Sequence, residues 1–163
     1  MTKTLLIVFH SMTGGTQRMA EAAARGAGGQ GVALRLLPAH EAGAEDLLAA
    51  DGYLFAAPEN LAAIAGMMKD FFDRTYYAAL GRIEGRPCAI MVCAGSDGGN
   101  AARQMARIAT GWRLRAIAAP LIVCTRAQTP EAILAPKTIG AEDVARCEEL
   151  GATLAAGMAI GMF

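Results

Sequence analysis

An apolar run that ends in a hydroxyl- and glycine-rich turn constrains this chain more than any other feature. Leu5–Phe9 has no polar alternation, which predicts a strand buried on both faces, as parallel strands are. Ser11–Thr16 then supplies three hydroxyls and two glycines, and Gln17–Ala27 is rich in good helix formers. A helix that starts directly after such a turn presents free N–H groups and the positive end of its dipole. We therefore predict a phosphate site here.

The turn differs from two common phosphate-binding turns. A nucleoside triphosphate loop needs Gly-Lys-Ser/Thr, yet no lysine lies between Lys3 and Lys69. A dinucleotide turn needs G-x-G-x-x-G, which asks for glycine where Met12 and Thr16 stand. A site for one terminal phosphate remains, with an ordinary capped β–α turn as the alternative. The pattern from Ser11 to Thr16 resembles the FMN phosphate loop of the flavodoxin-like family.

Strand-like and helix-like segments alternate along the rest of the chain. Further strands are predicted over 32–37, 53–57, 87–94 and 119–124, and helices over 41–50, 67–79, 101–115 and 141–160, with a loop over 59–66. This alternation predicts an α/β fold with a doubly wound, five-stranded parallel sheet and helices on both faces. It matches the flavodoxin-like strand order 2-1-3-4-5. With 163 residues and no internal repeat, we expect a single domain over 1–163.

Charge and cysteine usage exclude several classes of protein. The chain has 15 basic and 15 acidic residues. Without a basic excess, the charge does not favour nucleic-acid binding, and without an acidic excess it does not indicate a carrier that docks on basic partners. The start shows no signal-peptide pattern, and the apolar stretch 151–163 is too short to span a bilayer, so we expect a cytoplasmic protein without membrane insertion. The four cysteines have no C-x-x-C or zinc spacing, so we expect buried thiols and no metal site.

The fold class predicts where ligand contacts come from. In this topology they lie at the carboxyl ends of the first, third and fourth strands, and all three ends are unusual here. The first leads into the phosphate loop, the third into a long loop after a proline, and the fourth into a turn with three glycines. The candidate cofactor-binding residues at these ends are Ser11, Met12, Thr13, Gly14, Gly15, Thr16, Pro58, Glu59, Asn60, Leu61, Ala94, Gly95, Ser96 and Gly98.

A second motif makes the resemblance more specific. The stretch from Ala57 to Thr75 looks like the segment after strand three in flavodoxin-like NAD(P)H:quinone oxidoreductases and FMN reductases. The matching positions are Pro58, Gly66, Lys69, Asp73 and Arg74. This resemblance implies bound FMN, with loops 58–62 and 94–99 beside the flavin ring. One departure is that Asn60–Ala63 has no aromatic or charged side chain, where many relatives have Tyr, Arg or Asn-Gly. Neither ring loop has the aromatic residue that flavodoxins stack on the flavin.

The resemblance implies an FMN-dependent oxidoreductase. It would pass hydride or electrons from NAD(P)H through FMN to a quinone-like or other small acceptor, with no catalytic side chain because the cofactor carries the chemistry. The alternatives are a flavodoxin-type electron carrier and a binding domain of the same fold without enzymatic activity. The apolar last helix and the Met- and Phe-rich helix over 67–79 suggest a homodimer or homotetramer.

Overall fold

A computed structural model of the chain describes residues 1–163 and shows seven strands and six helices. The strands are β1 Thr4–Phe9, β2 Ala33–Pro38, β3 Gly52–Asn60, β4 Ala63–Ile64, β5 Pro87–Ala94, β6 Arg115–Ala116 and β7 Leu121–Cys124. The helices are α1 Gly15–Ala27, α2 Ala44–Ala49, α3 Gly66–Ala79, α4 Gly99–Gly111, α5 Pro130–Leu134 and α6 Ala141–Ala159. None of the helices combines the length and apolarity needed to cross a membrane.

The main sheet is parallel and runs in the order β2-β1-β3-β5, with β6 and β7 both pairing with β5 at the far edge. The short strand β4 pairs only with β3, antiparallel to it. Since β5 is the predicted fourth strand and β7 the predicted fifth, the doubly wound fold and its order 2-1-3-4-5 are confirmed.

Both faces of the sheet are covered, because successive side chains of a strand point to opposite faces. On one face, Phe55 packs with Phe71, Phe72 and Trp112 from the region of α3 and α4. On the other face, α1 and α6 cover the sheet. The buried side chains there include Ile7, Leu54, Met91 and Leu154, with Met19 of α1.

The apolar residues of α6 are buried within the chain itself. Gly151 lets α6 approach so closely that a Cβ there would overlap the carbonyl oxygen of Ala23 in α1. Gly157 packs against the ring of Phe163. In α3, Met68, Phe71 and Phe72 are buried, whereas Met67 and Tyr77 are exposed. The fold of one chain thus accounts for only part of the apolar surface of α3, and the expected homo-oligomer stays a prediction.

The predicted loop over 59–66 is wrong, because β3 continues past Pro58 and turns back as a hairpin. Pro58 lies within β3, where it pairs with Cys93 of β5 and its carbonyl oxygen accepts from Ala65 N–H at 3.2 Å. Leu61 and Ala62 form the two-residue turn with positive φ of 50° and 61°, the sign that a type I′ hairpin turn requires.

The predicted helix over 101–115 is also too long. It ends at Gly111, and Trp112 turns inward, where its side chain is fully buried and its Nε1–H donates to Tyr76 O at 2.9 Å. Arg113 has a positive φ of 57°, which helical backbone cannot adopt. Arg115 then pairs with Pro87 as part of β6. Helix α5 was not predicted.

Candidate functional site

A pocket of about 440 Å³ opens at the carboxyl ends of the parallel strands. The loop after β1 and the carboxyl ends of β3 and β5 all reach it, as the topology predicts. A fourth segment, after β7, also contributes. The lining residues are Ser11, Met12, Thr13, Gly15, Thr16, Pro58, Glu59, Asn60, Cys93, Ala94, Gly95, Thr125, Ala127 and Ile133.

One end of the pocket is formed by the start of α1. Gly14 precedes the helix with a φ of +96°, and its N–H donates to Ser11 Oγ at 3.1 Å. The N–H groups of Gly15, Thr16 and Gln17 donate to no group of the protein. Together with the helix dipole, these free donors favour an anion.

The Thr16 hydroxyl gives an independent indication of a ligand. Thr16 is only 2% exposed and lines the pocket, yet its Oγ1 forms no hydrogen bond; the polar group beside it is the Cys93 thiol, a weak acceptor whose pKa the hydroxyl lowers. A buried hydroxyl without a partner costs about 1–3 kcal/mol, and such groups are rare in native proteins. An anionic oxygen bound at the start of α1 would supply the missing partner. The residues here therefore fit a phosphate group.

Cys93 forms the floor beneath this loop, although the sequence suggested only a structural thiol. A Cβ on Gly15 would lie 2.8 Å from Cys93 Sγ, so glycine is needed for α1 to sit this close to β5. Burial raises the pKa of the Cys93 thiol to about 11, against smaller lowering effects from the Lys137 charge and the Thr16 hydroxyl. The thiol is therefore protonated at neutral pH and is a poor nucleophile.

The β3–β4 hairpin forms the opposite wall and is held in place by α4. Asn100 Nδ2 donates to Ala62 O at 2.7 Å, and Gln104 Oε1 accepts from Ile64 N–H at 2.7 Å. These two side chains fix the hairpin at its turn and at its return strand. No aromatic side chain lines the pocket.

Ten of the fourteen candidate residues line this pocket and four do not. Gly14 shapes the turn, Leu61 is fully exposed at the hairpin tip, and Ser96 is exposed. Gly98 has a φ of +82°, and its Cβ position lies 2.7 Å from Ile122 Cγ2, so it serves the packing of α4. Whether these residues bind a cofactor stays a prediction. The lining residues that sequence reasoning missed are Cys93, Thr125, Ala127 and Ile133.

Comparison with known proteins is consistent with this geometry. Residues 34–128, more than half of the chain, match the family model of NADPH-dependent FMN reductases. The chain belongs to this family. The match to the FMN reductase model begins in β2, so it includes the hairpin and the loops after β5 and β7 but not Ser11–Thr16.

The individual proteins that the chain is similar to include flavodoxins. A flavodoxin from Aquifex aeolicus is 38% identical over 98 residues, which cover 59% of this chain and 53% of the relative. The chain thus matches about half the length of this curated protein. A solved archaeal flavodoxin superposes with a TM-score of 0.76 at 18% identity, covering 93% of this chain and 96% of that one. A flavodoxin, WrbA-like protein from Agrobacterium tumefaciens gives 0.70 at 21% identity, covering 98% and 99%. At these identities, the two structures show the fold alone.

Proposed function

We propose that this protein binds FMN in the pocket above the sheet and transfers electrons through it. The observation that carries the proposal is the buried, unpartnered hydroxyl of Thr16 beside the free N–H groups of α1. The family match and the flavodoxin relatives support FMN as the phosphate-bearing ligand. When bound, the flavin supplies the redox chemistry, as a carrier of electrons or hydride.

The roles of the protein residues divide between the two ends of the pocket. Thr16 and the N–H groups of Gly15–Gln17 would hold the phosphate. Pro58–Asn60 and Ala94–Gly95 would line the ring, because these residues form the remaining walls of the same pocket. Asn100 and Gln104 act as positioning residues, since they hold the hairpin that carries Asn60. No protein side chain is required to give or take a proton in such a scheme.

An electron carrier is the first candidate for the finer function. The curated relative is a flavodoxin, and solved flavodoxins match nearly the whole chain as a single domain. A carrier needs only a held flavin with an exposed edge, and the pocket is open to solvent at its mouth, where Met12 is 55% exposed.

A reductase that takes hydride from NAD(P)H and passes electrons to a small acceptor is the second candidate. It is favoured by the absence of any aromatic side chain in the lining of the pocket, because an uncovered ring leaves room for a second flat molecule. The family match to NADPH-dependent FMN reductases supports the same candidate.

Absorbance spectroscopy of the reconstituted protein tests both levels of the proposal. The protein is incubated with FMN, separated from free flavin by gel filtration, and then treated without oxygen with NADH, NADPH or dithionite. Retained flavin that dithionite bleaches but NAD(P)H does not indicates a carrier. Rapid bleaching by either nucleotide, reversed by a quinone, indicates a reductase. A protein that elutes without flavin refutes FMN binding.

A further inference from the structure

The segment after β7 folds back over the start of α1 and brings Lys137 to the phosphate end of the pocket. Lys137 N–H donates to Thr13 O at 2.8 Å, and Arg18 Nε donates to Lys137 O at 2.9 Å. A Cβ on Gly15 would lie 3.3 Å from Lys137 Cβ. The backbone of Lys137 is thus fixed against the same loop that presents the free N–H groups.

The Lys137 ammonium has only neutral partners. Its Nζ donates to Ile133 O at 2.7 Å and to Ala135 O at 2.6 Å, both at the carboxyl end of α5. It takes part in none of the seven ion pairs of the chain. Its charge is nevertheless close enough to the Cys93 thiol to lower the pKa of that group, and Cys93 lines the pocket. A lysine without a carboxylate partner is therefore attached to the loop that forms the predicted phosphate site, and its charge lies within electrostatic range of Cys93.

We propose that Lys137 is a specificity-determining residue, whose ammonium pairs with the FMN phosphate and makes the site select FMN over riboflavin. This inference rests on the proposed function. A phosphate monoester carries a charge of about −1.5 to −2 at neutral pH, and a charge-assisted hydrogen bond to it is stronger than one to a carbonyl. The flexible four-carbon stem of lysine allows the ammonium to exchange these partners while the backbone stays in place.

The arrangement would give the phosphate two kinds of support. The hydroxyl of Thr16 and the helix N–H groups are neutral donors, so they recognise the shape and hydrogen-bonding capacity of the anion. Lys137 adds a full positive charge, its backbone is bonded to this loop, and it forms no ion pair with a carboxylate. Arg18 on the first turns of α1 also forms no ion pair. Arg18 is exposed, so water and salt screen it more strongly.

Flavin titrations of charge variants test this role. The dissociation constants of FMN and riboflavin are measured for the wild type, Lys137→Gln and Lys137→Arg by quenching of flavin fluorescence. We expect Lys137→Gln to weaken FMN roughly tenfold, the order expected for one charge at a partly exposed site, and to leave riboflavin unchanged. Lys137→Arg should restore most of the FMN affinity. The salt dependence of FMN binding should also become shallower in Lys137→Gln.

Lys3→Gln is the matched control, because it removes the same charge at the opposite edge of the sheet. The six residues of β1 place roughly 20 Å between this lysine and the site, which exceeds the screening length at physiological salt. This control should bind both flavins as the wild type does.

Three outcomes would overturn the inference. Equal FMN affinities of the wild type and Lys137→Gln would refute it while leaving FMN binding intact. A parallel loss of FMN and riboflavin affinity would show that Lys137 only holds the segment after β7 in place through Ile133 and Ala135. A wild-type protein that binds neither flavin would refute the proposed function, and this inference with it.

Discussion

Replacing Thr16 by valine is expected to make the flavin-free protein more stable and FMN binding weaker. Valine keeps the volume and the β-branch of threonine but removes the buried hydroxyl that has no partner. Since an unsatisfied buried polar group costs about 1–3 kcal/mol, we expect a gain of about 1 kcal/mol or more in the free energy of unfolding. For a chain of this size, each kcal/mol raises Tm by about 2–4 °C.

The same substitution removes a donor that would face a charged phosphate. A hydrogen bond to a charged group contributes about 1.5–3 kcal/mol, so the dissociation constant for FMN should rise roughly 10- to 150-fold. The opposite signs of the two effects are the test. Urea denaturation of the flavin-free protein measures stability, and flavin fluorescence titration measures affinity.

Thr75 provides the matched control, because it is the other buried polar residue of the chain. Its hydroxyl donates to Phe71 O at 2.8 Å, so Thr75→Val removes a satisfied group. We expect this variant to lose about 0.5–1.5 kcal/mol and to bind FMN normally. A Thr16→Val protein that is no more stable than the wild type, or that binds FMN equally well, would contradict the reasoning.

Three further predictions concern the packing, the hairpin and the thiols. Gly151→Ala should lower the free energy of unfolding by roughly 3 kcal/mol or more, because the new Cβ would overlap Ala23 O. Gly140→Ala should change it by no more than about 0.5 kcal/mol, because nothing lies within 4 Å of the Cβ position. Urea denaturation of the two variants measures both changes. Ala62→Gly should stabilise the protein by about 0.5–1 kcal/mol, because it relieves a left-handed φ of 61°, and a loss of stability would refute this account of the turn. The free energy of unfolding should be constant from pH 7 to 8 and fall from about pH 9 to 11. Burial raises the pKa of three thiols to about 11, so the unfolded chain loses these protons at a lower pH than the folded protein does. Denaturation under reducing conditions across this pH range measures the effect. These thiols are Cys88, Cys93 and Cys147.

The fold could be predicted because its sequence signals are local. Parallel strands buried on both faces appear as continuous apolar runs, and Pro87–Ala94 was predicted with the same bounds as β5. The errors arose where tertiary contacts override local pattern. Gly111 is a weak local signal for the end of α4, because glycine is a poor helix former, and Trp112 directly after it turns inward and is buried. Helix α5 did have a signal, since Thr129 and Pro130 are a typical N-cap and first position, and Thr129 Oγ1 accepts from Ala132 N–H.

The site was predictable only in part, because strand order indicates which loops meet but not which segment covers them. The convergence of the loop after β1 with the carboxyl ends of β3 and β5 follows from the topology. The contribution of Thr125 and Lys137 does not, because hydrogen bonds to backbone groups hold these residues in place: Thr125 N–H donates to Ala94 O, Lys137 N–H to Thr13 O, and Arg18 Nε to Lys137 O. Such bonds leave no pattern in the sequence. Similarly, a cysteine at a strand end gives no indication of whether it faces a helix or a ligand.

The two ends of the pocket are built by different parts of the chain, and this bears on which redox role the protein has. The proposed phosphate end consists of Ser11–Thr16 and Lys137, both outside the family match over 34–128. The proposed ring end consists of the hairpin and the loops after β5 and β7, which the match includes. Similarity to FMN reductases therefore lies in the part of the site that a hydride donor or an acceptor would approach. The phosphate end of the pocket can then stay the same while the residues of the ring end determine whether a second small molecule binds beside the flavin. On this reasoning, substitutions in the hairpin should change reaction with NAD(P)H or quinone, whereas Thr16 and Lys137 variants should change flavin retention and leave the reaction of the bound flavin unchanged.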